Sequence, residues 1–148
     1  MLSLLKECQI IKVMDSQAAG VTDPASDIVD TAGFEGCCFI CKLGTVVDAA
    51  AVSMAVQQNT VNNAAGMAAL TGATAEIAVA VALTDSEQSL VVDVYRPRER
   101  YLRAAITRDT QNSEIDAVYA ILYGATNIPV TQPTTIAASA HVVSPAEV

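Results

Sequence analysis

Leu90-Val-Val-Asp-Val-Tyr-Arg-Pro-Arg-Glu-Arg-Tyr-Leu-Arg-Ala-Ala-Ile-Thr-Arg-Asp109, then the polar break Thr110-Gln-Asn-Ser-Glu114, then Ile115-Asp-Ala-Val-Tyr-Ala-Ile-Leu-Tyr123, is the stretch that decides the fold. Three runs rich in β-branched and aromatic residues are separated by two polar connections, which is the grammar of successive strands. All the arginines of the chain, Arg96, Arg98, Arg100, Arg103 and Arg108, fall here, and so do all the tyrosines, Tyr95, Tyr101, Tyr119 and Tyr123. Pro97 fixes one φ and withholds an N–H, so pairing stops there and Arg98, Glu99 and Arg100 turn outward. Beyond the turn, Tyr101, Arg103, Ala105 and Thr107 share one strand face.

Working outward, strands are expected at Cys37 to Leu43, Val52 to Gln58, Glu76 to Leu83, Leu90 to Arg96, Tyr101 to Arg108 and Ile115 to Tyr123, with a short one at Ile28 to Thr31. Glu76 to Leu83 and Leu90 to Arg96 read as the two arms of a hairpin around the polar turn Thr84 to Gln88. Leu4 to Met14 fits a strand or a short helix, and Ile10, Ile11 and Val13 favour the strand. Asp15 to Asp23 reads as a loop leading to Pro24, and Gly44 and Asp48 bracket a turn. Asn59 to Thr74, with Gly66 and Gly72, reads as a loop holding at most one helical turn. Residues 128–148 form an extended C-terminal arm, because Pro129, Pro133 and Pro145 cannot donate to a ladder, although Ile136 to Val143 has the pattern of a last edge strand. The expected architecture is all-β: a single-domain, jelly-roll-like β-sandwich over residues 1–127, with extended terminal arms.

Composition bounds the function. A chain of 148 residues buries about 70% of its unfolded surface without help from disulfides or metal. It is 52% hydrophobic but only 4% aromatic, so small apolar side chains fill the core. No apolar run approaches the roughly 20 residues of a membrane helix, so no membrane partner is expected. The net charge of −8 opposes binding to a phosphate backbone, which needs clustered cations, so no nucleic-acid partner is expected. The opening Met-Leu-Ser-Leu-Leu-Lys-Glu lacks the organisation of a signal peptide, and the expectation is cytosolic synthesis with free thiols.

Cys37-Cys38-x-x-Cys41 invites a metal reading. On a strand, however, Cys37, Phe39, Cys41 and Leu43 share one face and Cys38 and Ile40 the other, and only Cys8 and His141 remain as a second ligand pair. Buried apolar thiols are the expectation, with no metal and no cofactor. The chain has one histidine, no Gly-rich phosphate loop and no H-E-x-x-H. Glu114 and Asp116 share a strand face, the pattern of a solvated edge more often than of a catalytic dyad. No catalytic residues are assigned, and the chain is expected not to be an enzyme. Tyr95, Arg96, Arg98, Arg100, Tyr101 and Arg103 are the candidate interface residues. Three readings fit them: an internal network of ion pairs and stacking with Asp93 as a partner, a subunit interface reading carboxylates, or a phosphate or sugar site.

Val92 to Arg103, Thr107 to Ser113 and Leu122 to Ala125, with Asp27 to Gly36, Pro129 to Gln132 and Val143 to Glu147, resemble a family of small virion proteins of tailed bacteriophages. The resemblance implies a structural protein, most like a capsid cement (decoration) protein on the surface of the virion, assembled in the host cytoplasm. Its partners would be the major capsid protein and further copies of itself, with a trimer favoured by analogy. A head-to-tail connector, a tail component and a carbohydrate-binding module are the alternatives. The cysteines lie outside the pattern, so the resemblance gives them no role.

Overall fold

The computed structural model describes residues 3–144 and 146–147. Among the described residues nine strands form two antiparallel sheets: β1 (Gln9–Met14), β2 (Gln17–Gly20), β3 (Val29–Asp30), β4 (Gly36–Val46), β5 (Ala51–Asn59), β6 (Ala68–Ile77), β7 (Ser89–Tyr95), β8 (Tyr101–Asp109) and β9 (Ser113–Tyr123). One sheet runs β1-β9-β4-β7, with β2 also pairing β9, and the other runs β3-β8-β5-β6. The pairs β1–β9, β3–β8, β4–β7 and β5–β6 nest one inside the next. One long hairpin, bent at the β5–β6 loop and rolled so that β9 meets β4 and β8 meets β5, gives this order. It is the jelly roll expected from the sequence.

Period-two patterning builds the core between the sheets. In β4, Cys37, Phe39, Cys41 and Leu43 are fully buried, whereas Cys38 and Ile40 are half-buried on the outer face. Leu102, Ala104 and Ile106 of β8, Val52, Met54 and Val56 of β5, and Ile115, Val118, Ala120 and Leu122 of β9 complete the interior. Among the described residues no helix is long and apolar enough to cross a membrane.

Several elements depart from the sequence expectation. Residues 15–23 are not all loop, because Gln17 and Gly20 pair with Ile115 and Ser113. Residues 68–77 form β6 despite Gly66 and Gly72, both of which adopt positive φ. Glycine there turns the chain while β6 pairs on either side of a bulge opposite β5. Beyond Ile77 the chain leaves the sheet, and Ala82–Asp85 is one helical turn, α2. Consequently β7 is not the hairpin partner of residues 76–83; it pairs with β4 instead. The turn expected between Gly44 and Asp48 starts later, since β4 continues to Val46. At the N-terminus both readings of residues 4–14 hold in part: Leu4–Glu7 is a helical turn, α1, that precedes β1.

Residues 136–143 form no strand. The arm nonetheless follows the free edge of β1, held largely by side chains. Gln132 accepts from Ile10 N and donates to the carbonyls of Leu5 and Cys8, Val130 N donates to Lys6 O, and Ser3 Oγ lies 3.0 Å from His141 Nδ1. An exposed edge is a template for unwanted pairing, and the arm covers this one.

Arg108 lies on the inward face of β8, 4% exposed. Its guanidinium donates to Thr22 O at 2.7 Å, to Ala18 O and Ser113 O at 2.8 Å, and to Thr22 Oγ1 at 2.9 Å. Its own N–H donates to Asp23 Oδ1. The planar fork satisfies carbonyls from three segments at once, which a lysine ammonium cannot reproduce. Arg108→Leu is expected to destabilise the fold by about 3 kcal/mol or more in chemical denaturation, because it leaves buried carbonyls without donors. Arg108→Lys is expected to recover only part of that loss.

Candidate functional site

One end of the sandwich gathers segments that are distant in sequence. The turn between β7 and β8, residues 96–100, meets the loop between β3 and β4, residues 31–35, and the end of β9. Arg96 takes φ +51°, a left-handed conformation uncommon for a side chain larger than asparagine. It is held by its N–H to Glu35 O at 2.7 Å. Thr31 contributes its N–H and its hydroxyl to Arg100 O.

The guanidinium groups divide by what they touch. Arg100 grips Asp30 with two parallel bonds, Nε–Oδ1 and Nη2–Oδ2, each 2.7 Å, and its guanidinium lies over the Tyr101 ring. Arg103 donates to Gln57 Oε1 at 2.7 Å. Arg96 lies 5.1 Å from the Tyr95 ring centroid and 3.8 Å from a Glu35 oxygen. Arg98 is exposed and has no polar partner among the described residues. Of the candidate interface side chains, Arg100 and Arg103 are therefore engaged within the chain, while Arg98 and Tyr95 face outward, Tyr95 57% exposed. Two open grooves flank Pro97. One, of about 490 Å³, runs between residues 31–35 and 96–100. The other, of about 360 Å³, lies between the start of β6 and residues 93–98.

Asp93 does not pair with an arginine. It accepts instead from Tyr123 Oη at 2.8 Å. Burial first, and then the carboxylate, raises the Tyr123 phenol above its ordinary range, so it stays protonated and donates. This contact was missed in the sequence because it joins β7 to β9 across β4, a neighbourhood that only the sheet order supplies.

The other candidate groups serve the fold. Asp116 pairs with Lys42, which also meets Glu87, and Glu114 accepts from Thr45 N. The cysteines are free thiols. Burial pushes Cys41 up to about 12 and Cys37 higher still, which keeps both protonated and poor as nucleophiles or ligands. Among the described residues no group of three His, Cys, Asp or Glu side chains is arranged to hold a metal ion.

The fold and the rim thus define a jelly-roll sandwich with a basic, tyrosine-bearing turn at one end. Neither a protein-family model nor a curated protein matches the chain.

The Arg100 fork lowers the Asp30 carboxyl below its ordinary 3.8, with Ala32 N–H adding to the effect. Its contribution to stability is complete above that ordinary value and is lost as pH falls through the lowered one. Asp30→Asn has no such contribution to lose. The gap in Tm between wild type and Asp30→Asn is therefore expected to narrow between about pH 6 and about pH 3. A gap that stays constant would contradict the pairing.

Proposed function

We propose that the chain is a non-enzymatic structural protein of a tailed-bacteriophage virion, a cement protein that sits on the capsid surface and stabilises the head. One observation carries this reading. Four of the six segments that bear the family resemblance, Asp27 to Gly36, Val92 to Arg103, Leu122 to Ala125 and Pro129 to Gln132, converge on the same end of the sandwich, whereas Thr107 to Ser113 forms the β8–β9 turn at the opposite end. The four line two adjoining grooves, one against residues 96–100 and one where Ala32, Gly33 and Phe34 meet Pro129, Val130 and Thr131. Resemblance concentrated at one end fits a surface used for contact better than it fits requirements of folding spread over the whole sandwich.

A jelly roll suits the task, since its strands are cross-linked by two sheets and its loops gather at the ends. In this reading Arg98 and Tyr95 meet the major capsid protein or a neighbouring copy, with Arg98 answering a carboxylate. Arg96, Arg100, Tyr101 and Arg103 hold the turn in the shape that presents them. The assembly is a homo-oligomer, with a trimer favoured, formed after synthesis in the host cytoplasm.

The experiment adds purified protein to heads that lack it. Wild type is expected to bind and to raise the temperature at which the heads rupture. Arg98→Glu is expected to bind about tenfold more weakly, through like-charge repulsion at the contact, with the Tm of the free protein unchanged. Wild type that leaves the heads bare would contradict the cement reading. Arg98→Glu that binds as well as wild type would move the contact away from this turn.

A further inference from the structure

The outer face of the sheet β1-β9-β4-β7 carries an arrangement that the fold and the proposed capsid contact use only in part. Tyr95, Gly36 and Tyr123 form one row across β7, β4 and β9. The Tyr123 ring lies on the backbone of Gly36: a Cβ there would meet Cζ at 2.2 Å and Cε2 at 2.7 Å. Its hydroxyl is tied to Asp93 Oδ1 at 2.8 Å. The ring is therefore fixed at its underside and at its tip, and its outward side is half-exposed. Beside it stand the exposed Tyr95 ring, the Arg96 guanidinium over that ring, and the second Asp93 oxygen, which has no partner among the described residues. The 360 Å³ groove opens beside them, lined by Leu70, Asp93, Tyr95, Arg96 and Pro97.

We propose that Asp93, Tyr95, Tyr123 and Arg96 form a binding site for a pyranose sugar. A pyranose has one face of C–H groups and a rim of hydroxyls. A held aromatic ring such as Tyr123 receives the C–H face with little loss of side-chain freedom, and the exposed Tyr95 ring extends that platform. The open carboxylate oxygen accepts from a pair of neighbouring hydroxyls, and the guanidinium donates to a third oxygen. Cover for a strand glycine explains where Tyr123 lies, but it explains neither the exposed Tyr95 nor the open carboxylate oxygen. A phosphate or carboxylate ligand is disfavoured, because Asp93 would face it with like charge. The site shares Tyr95 and the groove with the proposed capsid contact, but sugar binding by the free protein needs no capsid and is read without one.

Saturation-transfer NMR of the purified protein with the methyl glycosides of glucose, galactose, mannose and N-acetylglucosamine tests the site. Saturation is expected on the ring C–H protons of at least one of them. Tyr95→Ala is expected to abolish it, with the β-sheet circular dichroism unchanged. Asp93→Asn retains an acceptor for Tyr123 and so keeps the ring in place; it is expected to weaken the sugar about tenfold. Oligosaccharides of the same hexose binding at least as tightly as the methyl glycoside would identify a chain-borne glycan as the ligand, and tighter binding of the methyl glycoside would identify a free sugar. No transfer from any glycoside, or transfer that is equal in wild type and both variants, overturns the proposal.

Discussion

The fold depends on β9 finding partners on both sides. Its residues Ser113–Tyr123 pair with β4 along nearly their whole length and with β1 and β2 on the other edge. These partners lie between 67 residues (Val46 with Ser113) and 113 residues (Gln9 with Leu122) away in sequence. Each such pairing closes a long loop before any burial rewards it. What offsets that cost is the inward row Ile115, Val118, Ala120 and Leu122, each fully buried against the opposite sheet. Arg108 acts at the same closure: by binding Ser113 O together with Ala18 O and Thr22 O it ties the entry of β9 to β2 and to the loop after it. With the roll closed there, the loops at the other end are brought side by side, and the rim is a consequence of that closure.

Much of this was legible from local pattern. The phase of Cys37, Phe39, Cys41 and Leu43 places four side chains in the core, and the runs around Pro97 and Thr110 place β7, β8 and β9. What failed was whatever depends on partners far along the chain. Residues 68–77 are small and glycine-interrupted, so they lack a strand signal of their own; they are a strand because β5 offers a ladder. Residues 76–83 look extended in composition, but Ala49 N and Ala80 N bond across to Ala80 O and Ala50 O and draw the chain out of the sheet. Arg108 was grouped with the other arginines by composition. Its position in phase with Leu102, Ala104 and Ile106 was a signal that it points inward, and that signal was available.

At the rim the sequence groups the arginines together but does not tell how they divide. Arg100, Arg103 and Arg96 look alike in a list of residues, yet the first grips a carboxylate with a full fork, the second an amide, and the third a ring with a carboxylate at longer range. Ion pairs this exposed are screened and act as positioning devices more than as sources of stability. Their effect is to hold Pro97 and Arg98 forward between two grooves. Asp93 and Tyr123 add a second feature on the adjoining sheet face, which exists only because Gly36 leaves room for a ring. These contacts give a β-sandwich that carries two differently equipped surfaces at one end.

The most direct test of the cement reading is the copy number of the chain in a purified particle, measured by quantitative mass spectrometry against the major capsid protein. A cement protein repeats with the capsid lattice, so hundreds of copies per head are expected. A ring of about six or twelve copies, the number a symmetric connector or tail collar requires, would contradict it.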